Sequence, residues 1–68
     1  MTMLKVIEVL AQSDKSWEDA ATNAVKQAAE TVRGIKSIYI KEMEASVEDG
    51  KIVQYRVNAK ITFLLGES

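Results

Sequence analysis

Residues 52–65 read IVQYRVNAKITFLL, and this stretch decides the fold. Val53, Tyr55, Val57, Ala59, Ile61, Phe63 and Leu65 alternate with Gln54, Arg56, Asn58, Lys60, Thr62 and Leu64. Successive side chains on a strand point to opposite faces, so a period of two predicts a long strand with one core face and one largely polar face. Immediately before it, Glu48-Asp49-Gly50-Lys51 carries the Asp-Gly pair of a tight hairpin. Ile35–Val47 is then its antiparallel neighbour.

Upstream, the apolar period changes. Trp17, Ala21, Ala24, Ala28 and Val32, with Val25 beside them, fall at helical spacing. Ser16 is placed to cap this helix by accepting from the Asp19 N–H, and Asp19 to reach back, an acidic capping box. The helix is expected to run through Val32, with Gly34 as its left-handed terminator. An alanine-rich stripe requires the helix axis to lie close to what it packs on. Leu4–Leu10 is rich in branched aliphatics and reads as a first strand, partly buried on both faces, with Gln12–Lys15 as a polar connection.

The order is β-α-β-β, an α+β chain in which the third strand lies between the other two and antiparallel to both. Residues 1–68 form a single domain. At about 3.3 Å per residue the hairpin strands span about 40 Å, whereas the helix covers about 25 Å. The hairpin overhangs its own core, and its apolar side chains and edges need a partner. Domains this small are marginal alone unless stapled or oligomeric.

Composition narrows the function. The 68 residues contain no cysteine and no histidine, which removes disulfides and thiolate or imidazole metal sites, and the net charge of −1 offers no field for nucleic acid. No apolar run suits a membrane span, and MTMLKVIEVLAQS lacks the basic start of a signal peptide. A cytoplasmic, self-associating domain is expected. Ser13, Ser16, Ser37 and Ser46 are scattered and none lies in a nucleophile elbow. The glycines, Gly34, Gly50 and Gly66, form no phosphate loop. An enzyme is not expected.

Glu42 and Glu44 share a strand face, with Glu48 and Asp49 at the turn, and symmetry copies could bring such carboxylates together around a hard cation; a solvated edge and an ordinary turn is the plainer account. Trp17 reads as a core plug or a staple. The row Gln54, Arg56, Asn58, Lys60 either faces solvent or lines an interface or lumen.

With this topology in place, Ser13-Asp14-Lys15-Ser16-Trp17-Glu18-Asp19-Ala20-Ala21, and the run from Tyr55-Arg56-Val57 through Ile61-Thr62-Phe63, resemble the dodecins over nearly the whole chain. Ala11-Gln12 departs from the Gly-Thr common before the serine. The resemblance implies a three-stranded antiparallel sheet partly wrapping one helix, with twelve copies forming a hollow homododecamer. It also implies flavin, FMN or riboflavin, stacked on a tryptophan near the start of the second strand and read by a glutamine on the third. Those positions fall here on Ser37 and Arg56. Serine offers no π face, and arginine has donors only. Tyr39, two residues along from Ser37 on the same face, is the remaining aromatic candidate.

The first expectation is therefore a non-enzymatic shell for small-ligand binding or storage, with flavin binding lost or weakened. The resemblance extends to family members associated with calcium, for which Glu42, Glu44, Glu48 and Asp49 are the candidate ligands. The alternatives are a flavin-binding dodecin with a pocket altered at Ser37, Tyr39 and Arg56, and a scaffold or adaptor whose open sheet edge captures a strand.

Overall fold

The computed structural model describes residues 2–66. Met1, Glu67 and Ser68, the ends of the expected 1–68 domain, lie outside the described residues. Four elements follow one another: β1 (Met3–Ser13), α1 (Trp17–Ala28), β2 (Ile35–Glu48) and β3 (Lys51–Leu65). The sheet order is β1-β3-β2 with both pairings antiparallel, so the longest strand is central.

One face of the sheet holds the core. Val57, Ala59 and Ile61 of β3 are 1%, 0% and 0% exposed, and Ala20 and Ala24 are the buried helix residues. In register, Ile61 lies between Ile7 and Ile38, and Ala59 between Val9 and Ile40. The small side chains at 20, 24 and 59 let the helix backbone sit close to the sheet. Ala20, adjacent to the expected Ala21, carries the centre of the stripe. In a run of alanines, residues one step apart are indistinguishable by size, so the pattern alone does not fix the helix rotation.

β1 differs from expectation in two ways. It continues through Gln12 and Ser13, which pair with Arg56 and Tyr55 rather than forming a connection. It is also packed on one face only: Leu4, Val6 and Leu10 point to the outer face and are exposed. β2 contains two extra residues relative to β3, Lys36 and Lys41, where the register shifts. Each such bulge flips the alternation. The helix-side residues of β2 are therefore Ile35, Ile38, Ile40, Met43 and Ala45, a spacing of three, two, three, two.

The helix ends at Ala28, four residues before the expected Val32. Past Ala29 the bonds tighten, with Glu30 N–H donating to Gln27 and Thr31 N–H to Ala28. Gly34 is not its terminator. Its φ of +72° serves the entry to β2, where its carbonyl accepts from Leu64 N–H at 2.9 Å and an added Cβ would lie 3.1 Å from Leu64 Cβ. At the hairpin, Asp49 and Gly50 have φ of +52° and +74°, the two left-handed positions of a type I′ turn.

The start of α1 is organised by Ser13 as well as by its cap. Ser16 caps as expected, accepting from Asp19 N–H at 2.9 Å. Asp19 does not complete the box. Its carboxylate accepts instead from Ser13 Oγ at 2.6 Å and from Asn23 Nδ2 at 3.2 Å. Ser13, 7% exposed, also accepts from Lys15 N–H at 2.9 Å. Replacing Ser13 by Ala leaves a part-buried carboxylate and a backbone N–H without these partners. The expected cost is about 1–3 kcal/mol, read as a lowered urea midpoint at unchanged slope.

The molecule measures 52 × 19 × 13 Å, whereas the 12-residue helix covers only about 18 Å at 1.5 Å per residue. The hairpin end therefore lies beyond the helix, and its apolar residues Val47, Ile52 and Val53 are exposed.

Candidate functional site

The outer face of the sheet, opposite α1, gathers the residues singled out from the sequence. Antiparallel partners share a face, so the rows across β1, β3 and β2 can be read directly. They are Val6-Thr62-Ser37, Glu8-Lys60-Tyr39, Leu10-Asn58-Glu42 and Gln12-Arg56-Glu44, followed by Gln54 opposite Ser46. Ser37 is exposed, and Tyr39, on the same face, is 64% exposed. Ser37 and Arg56 are not brought together within one chain. Their rows are separated by six residues of β3, about 20 Å at 3.3 Å per residue.

Arg56 is held in place across the whole sheet. Its Nε donates to Gln12 Oε1 at 3.0 Å on β1, its Nη1 to Glu44 Oε1 at 2.8 Å and its Nη2 to Ser46 Oγ at 3.4 Å on β2. A fork with acceptors on both flanking strands lies along the sheet surface. Arg56 is half-buried and Glu44 more exposed. On either side of it along β3, Gln54 Oε1 and Asn58 Oδ1 are buried without a donor.

A second cross-sheet contact runs from the bulge. Lys41 Nζ reaches over β3 to Glu8 Oε2 at 3.4 Å. Lys41, first through its hydrogen bond and then through its charge, with Asn58 and Lys60 adding to it, holds the Glu8 carboxyl below its ordinary value of 4.5. A depressed carboxylate stabilises the fold above its unfolded pKa, and that contribution disappears as pH falls through the lowered folded value. Glu8→Gln should therefore weaken stability at pH 6, with a deficit that shrinks as pH falls towards 3. Melting temperatures at the two pH values check this. A deficit as large at pH 3 as at pH 6 would contradict it.

Trp17 acts as a plug rather than a staple. Its indole packs edge-to-face on Tyr55 at 4.9 Å between ring centroids, and its Nε1 donates to the Glu44 carbonyl at 2.9 Å. It thus ties the first turn of α1 to both hairpin strands and is not available as a stacking platform.

The acidic residues do not form a cage within one chain. Glu42 and Glu44 share the outer face of β2, as expected, but Glu44 is paired with Arg56. Glu48 lies opposite Lys51 and Asp49 sits in the turn, about 13 Å along the strand from Glu44. Among the described residues no three carboxylates converge on a point that could hold a metal. The residues of a single chain therefore do not fit a calcium ion.

A hollow lies on the other side of the sheet, between α1 and the free edge of β1. It is a groove of about 420 Å³ with Ile7, Val9 and Ala11 on one wall and Asn23, Gln27 and Thr31 on the other.

Sequence and fold together match one family. The family model Dodecin covers residues 3–66. The chain belongs to the dodecin family. A curated relative, calcium dodecin from Mycobacterium tuberculosis, is 32% identical over 63 residues, spanning 93% of this chain and 89% of the relative. Among solved structures, dodecin from Streptomyces coelicolor superposes with a TM-score of 0.92 at 30% identity, over 98% of this chain and 96% of that one. The structure of the calcium-chelating antigen calcium dodecin from M. tuberculosis, described with a novel calcium-binding site, gives 0.82 at 34% identity, over 97% and 94%. The dodecin family thus accounts for the β-α-β-β order, the central third strand and the helix-covered face.

Proposed function

We propose that the chain assembles as a hollow homododecameric shell of single dodecin-like domains, and that it binds a small ligand or cation without catalysing a reaction. Flavin binding is weak or lost. The observation that carries this reading is the outer face itself. The position that the family resemblance assigns to the stacking tryptophan is the exposed hydroxyl of Ser37, and the glutamine position is Arg56, whose donors are bound to Gln12, Glu44 and Ser46.

Self-association is supported by the overhanging hairpin and by the apolar side chains left uncovered along the sheet, Leu4 and Val6 towards one end, Val47 and Ile52 at the other, and Leu10 and Met43 between them. The hydroxyls are dispersed in the fold: Ser13 and Ser16 organise the helix start and Ser46 holds Arg56. Among the described residues no helix is long and apolar enough to cross a membrane, and we place the shell in the cytoplasm. The names of the M. tuberculosis relatives make calcium the cation to test. Since one chain supplies no cage, such a site joins carboxylates of different copies, from Glu42, Glu48 and Asp49, Glu44 being paired with Arg56. A second reading, flavin held one-sidedly on Tyr39, is favoured by that ring's exposure beside Ser37.

Titration of riboflavin and FMN fluorescence, and melting of metal-stripped protein with and without calcium, test these assignments. The expected results are no saturable quenching at micromolar protein and a calcium-dependent rise in melting temperature. A preparation that is yellow as isolated would overturn the flavin part. An unchanged melting temperature would remove the cation.

A further inference from the structure

Oxygen-bearing side chains of all three strands lie around Arg56 on the outer face. Gln12, Glu44 and Ser46 accept from its three nitrogens at 3.0, 2.8 and 3.4 Å. Gln54 and Asn58 flank it along β3, each with a buried carbonyl oxygen that has no donor. Glu42 lies opposite Asn58. Carboxylate, carboxamide and hydroxyl oxygens are the donor set that hard divalent cations take, yet the positive charge among them here is a guanidinium.

We infer that Arg56 is the built-in cation of this oxygen cluster, and that it keeps divalent metal off Glu44 in the natural chain. The physical reason is charge and tethering together. An ion in contact with the Glu44 carboxylate would lie within about 5 Å of the guanidinium, a separation at which the two positive charges repel. Arg56 cannot swing away without also releasing Gln12 and Ser46, so the repulsion is not relieved by a rotamer change. Glu44 is therefore occupied, and a calcium site on this chain is left to Glu42, Glu48 and Asp49. The inference rests on the cation part of the proposed function only in the choice of calcium as the ion offered.

Calcium isotherms of metal-stripped protein, by calorimetry, test it in four chains: the parent, Arg56→Gln, Glu44→Gln and the double variant. Arg56→Gln removes the positive charge while keeping an oxygen in the cluster, and should bind calcium at least about tenfold more tightly than the parent. Adding Glu44→Gln should cancel that gain, and Glu44→Gln alone should leave the parent isotherm unchanged. An unchanged isotherm in Arg56→Gln, or a gain that survives Glu44→Gln, would overturn the inference. If Arg56→Gln does not fold, the near-isosteric Glu44→Gln still decides, because weakened calcium binding in that single variant would place the ion on Glu44. Light scattering on the same samples separates the two levels. A parent of low mass counts against the shell, whereas an unaltered isotherm at unaltered mass counts against the role of Arg56.

Discussion

Ser37→Trp combined with Arg56→Gln is expected to raise riboflavin affinity by at least about tenfold over the parent chain. Stacking of a planar ring on an aromatic side chain contributes about 1–3 kcal/mol, and each 1.4 kcal/mol is tenfold in affinity. Residue 37 is exposed at the start of β2 and pairs with Thr62, so an indole there meets no steric obstacle within the chain. Glutamine at 56 supplies the acceptor that arginine lacks. Because the two positions lie about 20 Å apart along β3, a pocket containing both has to be completed by a second copy. Each single variant should give less than the pair, and the gain should vanish under conditions that dissociate the assembly. Fluorescence titration provides the measurement. A double variant that assembles like the parent yet ignores riboflavin would show that Ser37 and Arg56 do not line a flavin pocket.

Ile61→Ala should cost about 2–5 kcal/mol of stability, against about 0.5–1.5 kcal/mol for Ile61→Val. Ile61 is wholly buried, with Ile7 and Ile38 as its partners on either side. Both neighbours are fixed by ladder hydrogen bonds on flanking strands, so the space vacated by the side chain cannot close without distorting the sheet. Small domains have total stabilities of about 5–15 kcal/mol, and a loss of this size threatens folding of the subunit itself. Folding and assembly are linked by mass action, so the comparison is made at equal chain concentration. Thermal melts followed by circular dichroism should show a fall of about 10 °C or more for the alanine variant. A fall no larger than that of Ile61→Val would mean that the row Ile7-Ile61-Ile38 is not the centre of the core.

The sequence made the hairpin and its central strand legible because β3 keeps the period of two through Val57, Ala59 and Ile61. β2 was less clear for a local reason: the bulges at Lys36 and Lys41 break its alternation, and nothing in a single chain of residues marks a bulge until the partner strand is known. Gln12 and Ser13 read as a connection because they are polar, yet they are strand residues whose partners, Arg56 and Tyr55, lie more than forty residues away. The helix ended early because Thr31 and Val32 are poor helix formers and Gly34 answers to Leu64 rather than to the helix. At the candidate site, the shared face of Ser37 and Tyr39 and that of Glu42 and Glu44 could be read from spacing alone. The engagement of Arg56 by Gln12, Glu44 and Ser46 could not, since it depends on the register of three strands at once.

The mass of the purified protein in solution tests the central claim most directly. Static light scattering across a dilution series should give about 90 kDa, twelve chains of 7.5 kDa each, with little change on dilution. A mass of one or two chains would contradict the shell and leave the exposed hairpin to be covered by some other partner.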